Sequence, residues 1–307
     1  MRTTSTALLA LALASASVTG LASSATADPA PQGLSAIALV GDDKLVRVDL
    51  AEGGKTRGGP RVTGLTGDDT GLVGIDFRPQ DGKLYGVGNA GGIYTLASDG
   101  VATKVSQLGV ALVGESFGVD FNPAADRLRV ISDTGQNLRH NVNAGGITIA
   151  DGSLVYGPSA TTAGNGTTGG TSTGGTPAVD VTGAAYTNND ADGAPAAAGQ
   201  PANGNTGTTL YDLDTAKDQL VVQNPPNAGS LVAVGLLGVD TTDVVGFDVY
   251  SPLGPDNKAV PGADKAVAVL TVGGASGLYS ISLATGAATA LGTLDKAVTD
   301  LAVVYKQ

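Results

Sequence analysis

Three aspartates stand at the same place in a phrase that the chain repeats. Leu72-Val73-Gly74-Ile75-Asp76-Phe77 returns as Ser116-Phe117-Gly118-Val119-Asp120-Phe121 and as Val244-Val245-Gly246-Phe247-Asp248-Val249. A looser copy, Val181-Thr182-Gly183-Ala184-Ala185-Tyr186, carries alanine there. Each phrase reads as a short strand. Side chains alternate along a strand, so Gly74 and Asp76 share one face while Ile75 and Phe77 share the other. If equivalent strands line one axis, Asp76, Asp120 and Asp248 converge on it. Converging carboxylates offer oxygen ligands to a hard cation such as calcium, or an acid and a base for sugar cleavage. The competing use is local. Asp before a Pro-bearing turn commonly accepts backbone N–H bonds from that turn.

A second constellation follows Asp120. Arg127, Arg129 and Asp133 fall on one face by period two, with Leu128 and Val130 opposite; Gln136, Asn137 and Arg139 come next. Arginine forks beside an acid and amides suit a carboxylate or a sugar. They suit a buried structural network equally well, and both uses stay open. The expected loops also collect acids: Asp42, Asp43, Asp68, Asp69, Glu115, Asp133, Asp240 and Asp243. An acidic rim attracts cations or a basic ligand, although such residues are also ordinary turn formers.

Other chemistries find no support. The chain has no cysteine, which removes thiol catalysis, zinc–cysteine sites and iron–sulfur clusters. Its single histidine, His140, has no serine–histidine–acid pattern around it and reads as structural. Gly88-Asn89-Ala90-Gly91-Gly92 opens no helix and lacks a following Gly-Lys-Ser/Thr, so it is not a phosphate-binding loop.

The elements that must position these groups are strands and tight turns. After Val73–Phe77 comes Arg78-Pro79-Gln80-Asp81-Gly82, where proline presets φ and Asp-Gly accepts hairpin geometry. Leu84–Val87, Ile93–Leu96 and Ala102–Leu108 complete a four-stranded unit. The next unit has Gly118–Phe121, Arg127–Ile131, Asn137–Asn141 and Gly146–Ala150. Gly74 and Gly118 stand roughly 44 residues apart, the size of one propeller blade. Two more units follow: Thr182–Tyr186, Thr209–Leu213, Gln219–Val222 and Leu231–Gly235; then Val245–Val249, Ala266–Leu270, Leu278–Ser282 and Ala287–Leu291.

The ends complete each other. Asp300–Tyr305 reads as a first strand with no successors. Ala36–Val40, Leu45–Leu50 and Arg61–Gly64 read as second, third and fourth strands with no first. Joined, they close an all-β, five-bladed β-propeller and leave no free edge where the termini meet. Rings of four or six blades are the alternatives. Two insertions interrupt the period: Gly157–Pro177, almost wholly Gly, Thr and Ser, and Asn188–Gly207. Neither can bury a core, so both are expected as loops.

The stretch Gly118-Val119-Asp120-Phe121-Asn122-Pro123, continued by Asp126–Arg139, resembles the bacterial family of domains of unknown function numbered 4394. Gly74–Gly86, Ala184–Asn189, Thr209-Leu210-Tyr211 and Pro226–Leu231 match as well, so the resemblance spans nearly the whole chain after the leader. It implies a secreted, propeller-like repeat protein. It supplies no reaction and no assigned site.

Residues 1–27 look like a signal peptide. Arg2 precedes an apolar run from Ala7 to Ala22, and Ala25-Thr26-Ala27 matches the small-x-small cleavage pattern. Cleavage after Ala27 would leave one domain, 28–307, outside the cell. No other segment is apolar and long enough to span a bilayer. Few lysines among many Ala, Gly and Thr fit a high-GC bacterial source. The formal net charge of −11 argues against nucleic acid and anionic lipid, which need clustered cations. The reading is therefore a monomeric, secreted or cell-surface binding or scaffold module for an extracellular ligand or surface component, with calcium as the candidate cofactor. The alternative is a cation-dependent hydrolase acting on a sugar or lactone at the channel mouth. It would use Asp76, Asp120 and Asp248 as ligands or acid and base, with Arg129 or Asn137 orienting substrate.

Overall fold

In a computed structural model the chain is built of strands, with one short 3₁₀ turn at Pro226–Ala228. The structure describes residues 33–157, 160–162, 171–190 and 207–304. The expected leader, most of Asn188–Gly207, and Tyr305 lie outside the described residues.

In chain order the strands are β1 (Ser35–Val40), β2 (Lys44–Asp49) and β3 (Lys55–Arg57); β4 (Leu72–Phe77), β5 (Leu84–Gly88), β6 (Gly92–Leu96) and β7 (Ala102–Gln107); and β8 (Phe117–Asn122), β9 (Arg127–Ser132), β10 (Asn137–His140) and β11 (Thr148–Ala150). Then come β12 (Val155–Tyr156), β13 (Ala160–Thr162), β14 (Thr171–Thr173) and β15 (Thr176–Pro177), followed by β16 (Val181–Tyr186), β17 (Leu210–Asp214), β18 (Gln219–Gln223) and β19 (Ser230–Leu236). The last are β20 (Gly246–Tyr250), β21 (Lys265–Val272), β22 (Ala275–Ile281), β23 (Ala288–Thr293) and β24 (Val298–Val303).

They form five blades. Blade one is β24-β1-β2-β3, so the C-terminal strand supplies the first strand that the N-terminal segment lacks. The register pairs Ile37 with Ala302 and Ala38 with Leu301. Blade two is β4–β7, blade three β8–β11, blade four β16–β19 and blade five β20–β23. The first strands touch in the order β24, β4, β8, β16, β20 and back to β24, which closes the ring.

The core is divided among the blade interfaces. Ile75, Leu39, Leu45 and Tyr94 pack between blades one and two. Val119, Phe121, Tyr85 and Val87 pack between two and three. Each interface buries the alternate, apolar positions of two facing sheets, which is what period-two patterning on both faces requires.

The glycine of each repeated phrase has a steric reason. A Cβ on Gly118 would lie 2.7 Å from the backbone nitrogen of Ala184, and one on Gly246 would lie 2.8 Å from that of Leu301. First strands near the axis approach too closely for a side chain there. Blade one departs from the pattern: Asp300 occupies the glycine position.

Two expectations need correction. Arg61–Gly64 is not the fourth strand of blade one; the three-residue β3 is. The segment straddles two blades instead: Arg61 bridges Lys44 of β2, with Leu45 N donating to Pro60 O at 3.0 Å and Val62 N to Asp43 O at 2.6 Å, and Thr63 then bridges Val101 on the outer edge of blade two, with Ala102 N donating to Thr63 O at 2.8 Å. The Gly157–Pro177 stretch is also more than a loop at its ends. Within it β13 pairs β14, and β15 pairs β12, which lies just before it and adds to β19 in parallel. A parallel addition uses the free edge of β19, whose backbone groups need partners whatever the side chains are.

Candidate functional site

Period-two alternation turns Asp76, Asp120 and Asp248 to the axis, and the ring brings them together. One oxygen from each lies within 4.8 Å of the others. All three are buried. They line a cavity of ≈ 10 Å³ with Pro79, Asn189 and Tyr250, room for about one water or one ion. A sugar ring does not fit there, since small-molecule pockets run to about 300 Å³ or more.

The aspartates also stitch blade to blade. Asp76 Oδ2 accepts from Phe121 N of blade three at 2.8 Å, and Asp120 Oδ1 from Tyr186 N of blade four at 3.2 Å. Asp248 Oδ2 accepts from Val303 N of blade one at 2.6 Å. Asp76 and Asp248 also accept from the residue that follows each, Phe77 and Val249, both at 2.6 Å. Local N–H bonds therefore do form, but the long-range partner is the neighbouring blade rather than the turn.

Sequence reasoning missed a fourth member. Asp300 Oδ2 accepts from Ile75 N of blade two at 2.7 Å, and Oδ1 from Leu301 N at 2.9 Å. The signal was present, because Asp300 and Ala302 share one face of β24 and Ala302 aligns with Asp76. Among the described residues no Lys or Arg forms an ion pair with any of the four. Burial pushes all four carboxyls up. Asp248 and Asp300 add to this at Asp76; Asp76, Asp248 and Asp300 do so at Asp120. Asp248 is pushed up to about 7, with the N–H donors of Val303 and Val249 opposing burial. Carboxylates crowded in this way must take up protons or share a cation.

The sign of the pH effect follows. A carboxyl whose folded pKa exceeds its unfolded value favours folding most where both states are protonated. That advantage is lost as pH rises from near 4 through the folded value. His140, pushed down to about 4 mainly by burial, tilts the curve the other way below its ordinary range. The measurement is therefore a difference between the parent and Asp120→Asn in chelator. Among the described residues no hydrogen bond reaches Asp120 Oδ2, so Asn keeps the one acceptor that Tyr186 uses. Urea unfolding is expected to show the two equally stable near pH 4 and the variant more stable at pH 7. Equal stability across that range would show that the cluster carries no electrostatic strain.

Blade three's groups go to three places. Arg129 is buried between blades three and four; it donates to Asn137 Oδ1 and Asp151 Oδ2, both at 2.7 Å, to Asn227 Oδ1 at 2.9 Å and to Tyr186 OH at 3.2 Å. Asn137 belongs to the same network, and Arg139 joins it by donating to Asp151 Oδ1 at 3.0 Å. Asp133 and Gln136 instead hold the preceding loop, accepting from Glu115 N and Val113 N. Arg127 donates to the carbonyls of Ala125 and Asp126 in its own turn. The six therefore do not converge on one pocket. His140 sits between the hydroxyls of Ser106 at 2.7 Å and Thr148 at 2.9 Å, a structural place. Beside the Arg129 network Asp212 is fully buried, with neither oxygen hydrogen-bonded; burial raises its carboxyl and Arg129 opposes.

The acidic rim is only partly a rim. Asp69 is buried, accepting from Ala90 N at 2.7 Å and from the Tyr94 hydroxyl at 2.7 Å. Asp43 pairs with Arg61. Asp42, Glu115 and Asp243 do gather at the channel mouth opposite the buried cluster, around a cavity of ≈ 360 Å³. Ser116 Oγ donates to Asp243 Oδ2 there at 3.2 Å.

The family model described as "Domain of unknown function (DUF4394)" matches residues 44–302. Curated protein sequences give no match. Among solved structures, the chain is similar to hydrazine synthase of Kuenenia stuttgartiensis, with 13% identity and a TM-score of 0.37 over 77% of this chain and 51% of that one. It is similar to an auxiliary nutrient binding protein of Bacteroides thetaiotaomicron, with 12% identity and a TM-score of 0.37 over 66% and 55%. A Lactobacillus plantarum protein gives 16% identity and a TM-score of 0.36 over 85% and 67%. The chain thus spans about half the length of the first two. Among the described residues no helix is long and apolar enough to cross a membrane.

Proposed function

We propose that this chain, which belongs to the DUF4394 family, is an exported, non-catalytic binding module whose ring is held by one hard cation, calcium, at the axis. The observation that carries the reading is the meeting of Asp76, Asp120 and Asp248 within 4.8 Å in a buried site without a basic partner. Oxygens gathered within 4.8 Å of one another are close enough to share one ion, and calcium takes such carboxylate oxygens at about 2.3–2.6 Å. Magnesium demands about 2.1 Å and keeps its waters, for which a cavity of ≈ 10 Å³ has little room. Asp120 Oδ2, which accepts no hydrogen bond among the described residues, is the most available ligand. The ion would neutralise like charges from blades two, three and five and so tie the ring together.

Binding rather than turnover is supported by what surrounds the acids. The buried cluster is closed to a substrate of sugar size, and His140 lies between two hydroxyls. The open mouth lined by Asp42, Glu115 and Asp243 suits a cationic group on an extracellular partner.

Thermal unfolding in chelator, calcium or magnesium tests the cation. Calcium at about a hundred times its dissociation constant adds roughly 2.7 kcal/mol, which raises the midpoint by roughly 5–10 °C for a chain of this size. Asp120→Asn is expected to lose that response while remaining folded. A parent midpoint that ignores millimolar calcium would remove the metal reading.

A further inference from the structure

A second cavity lies away from the axis, on the rim opposite the acidic mouth. It is a cleft of ≈ 640 Å³ between blades one and two. Its cause is local. β3 ends at Arg57, and the outgoing chain is Gly58-Gly59-Pro60. Gly59 is pressed so closely on β2 that a Cβ would lie 2.3 Å from Leu45 O. That segment therefore places no large side chain between the blades. The floor is continuous with the apolar interface: Leu84 and Leu96 are buried in it, with Ile37 and Phe77 half-buried.

The same cleft is lined by Arg47 and Lys83, both exposed. On β2 Arg47 lies opposite Ile37 of β1, on the face that turns to blade two. Neither side chain has an ion-pair partner among the described residues. Lys44 and Arg127 likewise have none among the described residues, in a chain with 17 basic against 28 acidic residues. Arg57, Arg61, Arg78, Arg129 and Lys217 all have carboxylate partners. Two unpaired cations thus flank an apolar slot in an acidic protein. That is the complement of a molecule with an apolar body and one negative head.

We propose that the cleft between blades one and two binds an amphipathic monocarboxylate, its hydrocarbon body against Ile37, Phe77, Leu84 and Leu96 and its carboxylate at Arg47 and Lys83. The site is separate from the axial cluster, so it stands or falls independently of the cation.

Calorimetric titration of the full chain with dodecanoate, dodecanol and dodecyltrimethylammonium, each below its micellar concentration, tests this. The tails match and only the heads differ. Dodecanoate is expected to bind about ten-fold or more tightly than either of the others. The double variant Arg47→Glu/Lys83→Glu is expected to reverse the order, favouring the cationic amphiphile. Thr95→Trp, which fills the slot, is expected to abolish binding of all three. Since both cations are exposed, the double variant should fold; if it does not, the head-group series on the parent decides alone. Equal affinity for the three heads, no binding of dodecanoate, or binding that survives Thr95→Trp would overturn the proposal.

Discussion

A chain that stops after Asp300 is expected to be insoluble, or to melt far below the parent. Residues 301–307 complete β24, the strand that blade one borrows from the C-terminus. Without them the edge of β1 from Ala36 to Ala38 loses its partner. Leu301 and Val303, each 2% exposed in the parent, leave the core shared with Val46, Val48 and Val267. Burying two such side chains is worth roughly 3–6 kcal/mol. A domain's whole stability is about 5–15 kcal/mol. Further losses come from Val303 N, which serves Asp248, and from Val304 N, which donates to Ser35 O at 2.8 Å. No disulfide holds the ring. The control is removal of residues 163–170, which carry no apolar side chain larger than alanine; it should move the midpoint little. Solubility and thermal unfolding of the two deletions check the prediction. A C-terminal truncation that melts like the parent would show that β24 does not close the ring.

The second large effect is expected at Asp151. Arg129 is 3% exposed, and among the described residues Asp151 is its only carboxylate hydrogen-bond partner, at 2.7 Å. Asp151→Ala leaves a guanidinium buried between blades three and four hydrogen-bonded to neutral acceptors alone, with only the buried Asp212 nearby to offset its charge. Breaking a buried pair from one side costs about 3–5 kcal/mol, a fall of roughly 6–20 °C in midpoint. Part of the loss belongs to Arg139, a lesser partner because its side chain is 31% exposed. Removing both charges, Arg129→Met with Asp151→Leu, should recover much of the stability, because the cost lies in the orphaned charge. Urea unfolding of the single and double variants measures this. A single variant that loses less than about 1 kcal/mol would mean that water reaches Arg129.

Much of the architecture is legible in residue order. The spacing of the phrase headed by Gly74, Gly118, Gly183 and Gly246 places four first strands. Asp-Gly at 81–82 marks a hairpin, and Gly82 takes a φ of 68° there. The incomplete first and last units predict their own joining. Alternation also puts Asp76, Asp120 and Asp248 on equivalent faces of their strands, although it leaves open whether they meet at the axis or serve their own turns.

What each of those side chains meets is a different matter. Ile75 and Asp300 are 225 residues apart in the chain, and Asp76 and Phe121 are 45 apart. Alternation says that a residue faces the neighbouring blade, but not which residue stands opposite or at what depth. Register across a blade interface comes from side-chain packing and from how closely the glycines let first strands approach. For that reason Asp300 passed as one more strand residue, and Arg129 and Asp133 looked like companions although they serve different joints. Arg61–Gly64 read as a strand of blade one; Arg61 does bridge β2 there, but Thr63 pairs with Val101 of blade two, a crossing that no local pattern announces. The chain order thus determined five blades, their closure and three carboxylates at equivalent strand positions. The tertiary structure decided the fourth carboxylate, the division of blade three's polar groups and the cleft beside Arg47 and Lys83. Each of these depends on contacts between segments that no local pattern encodes.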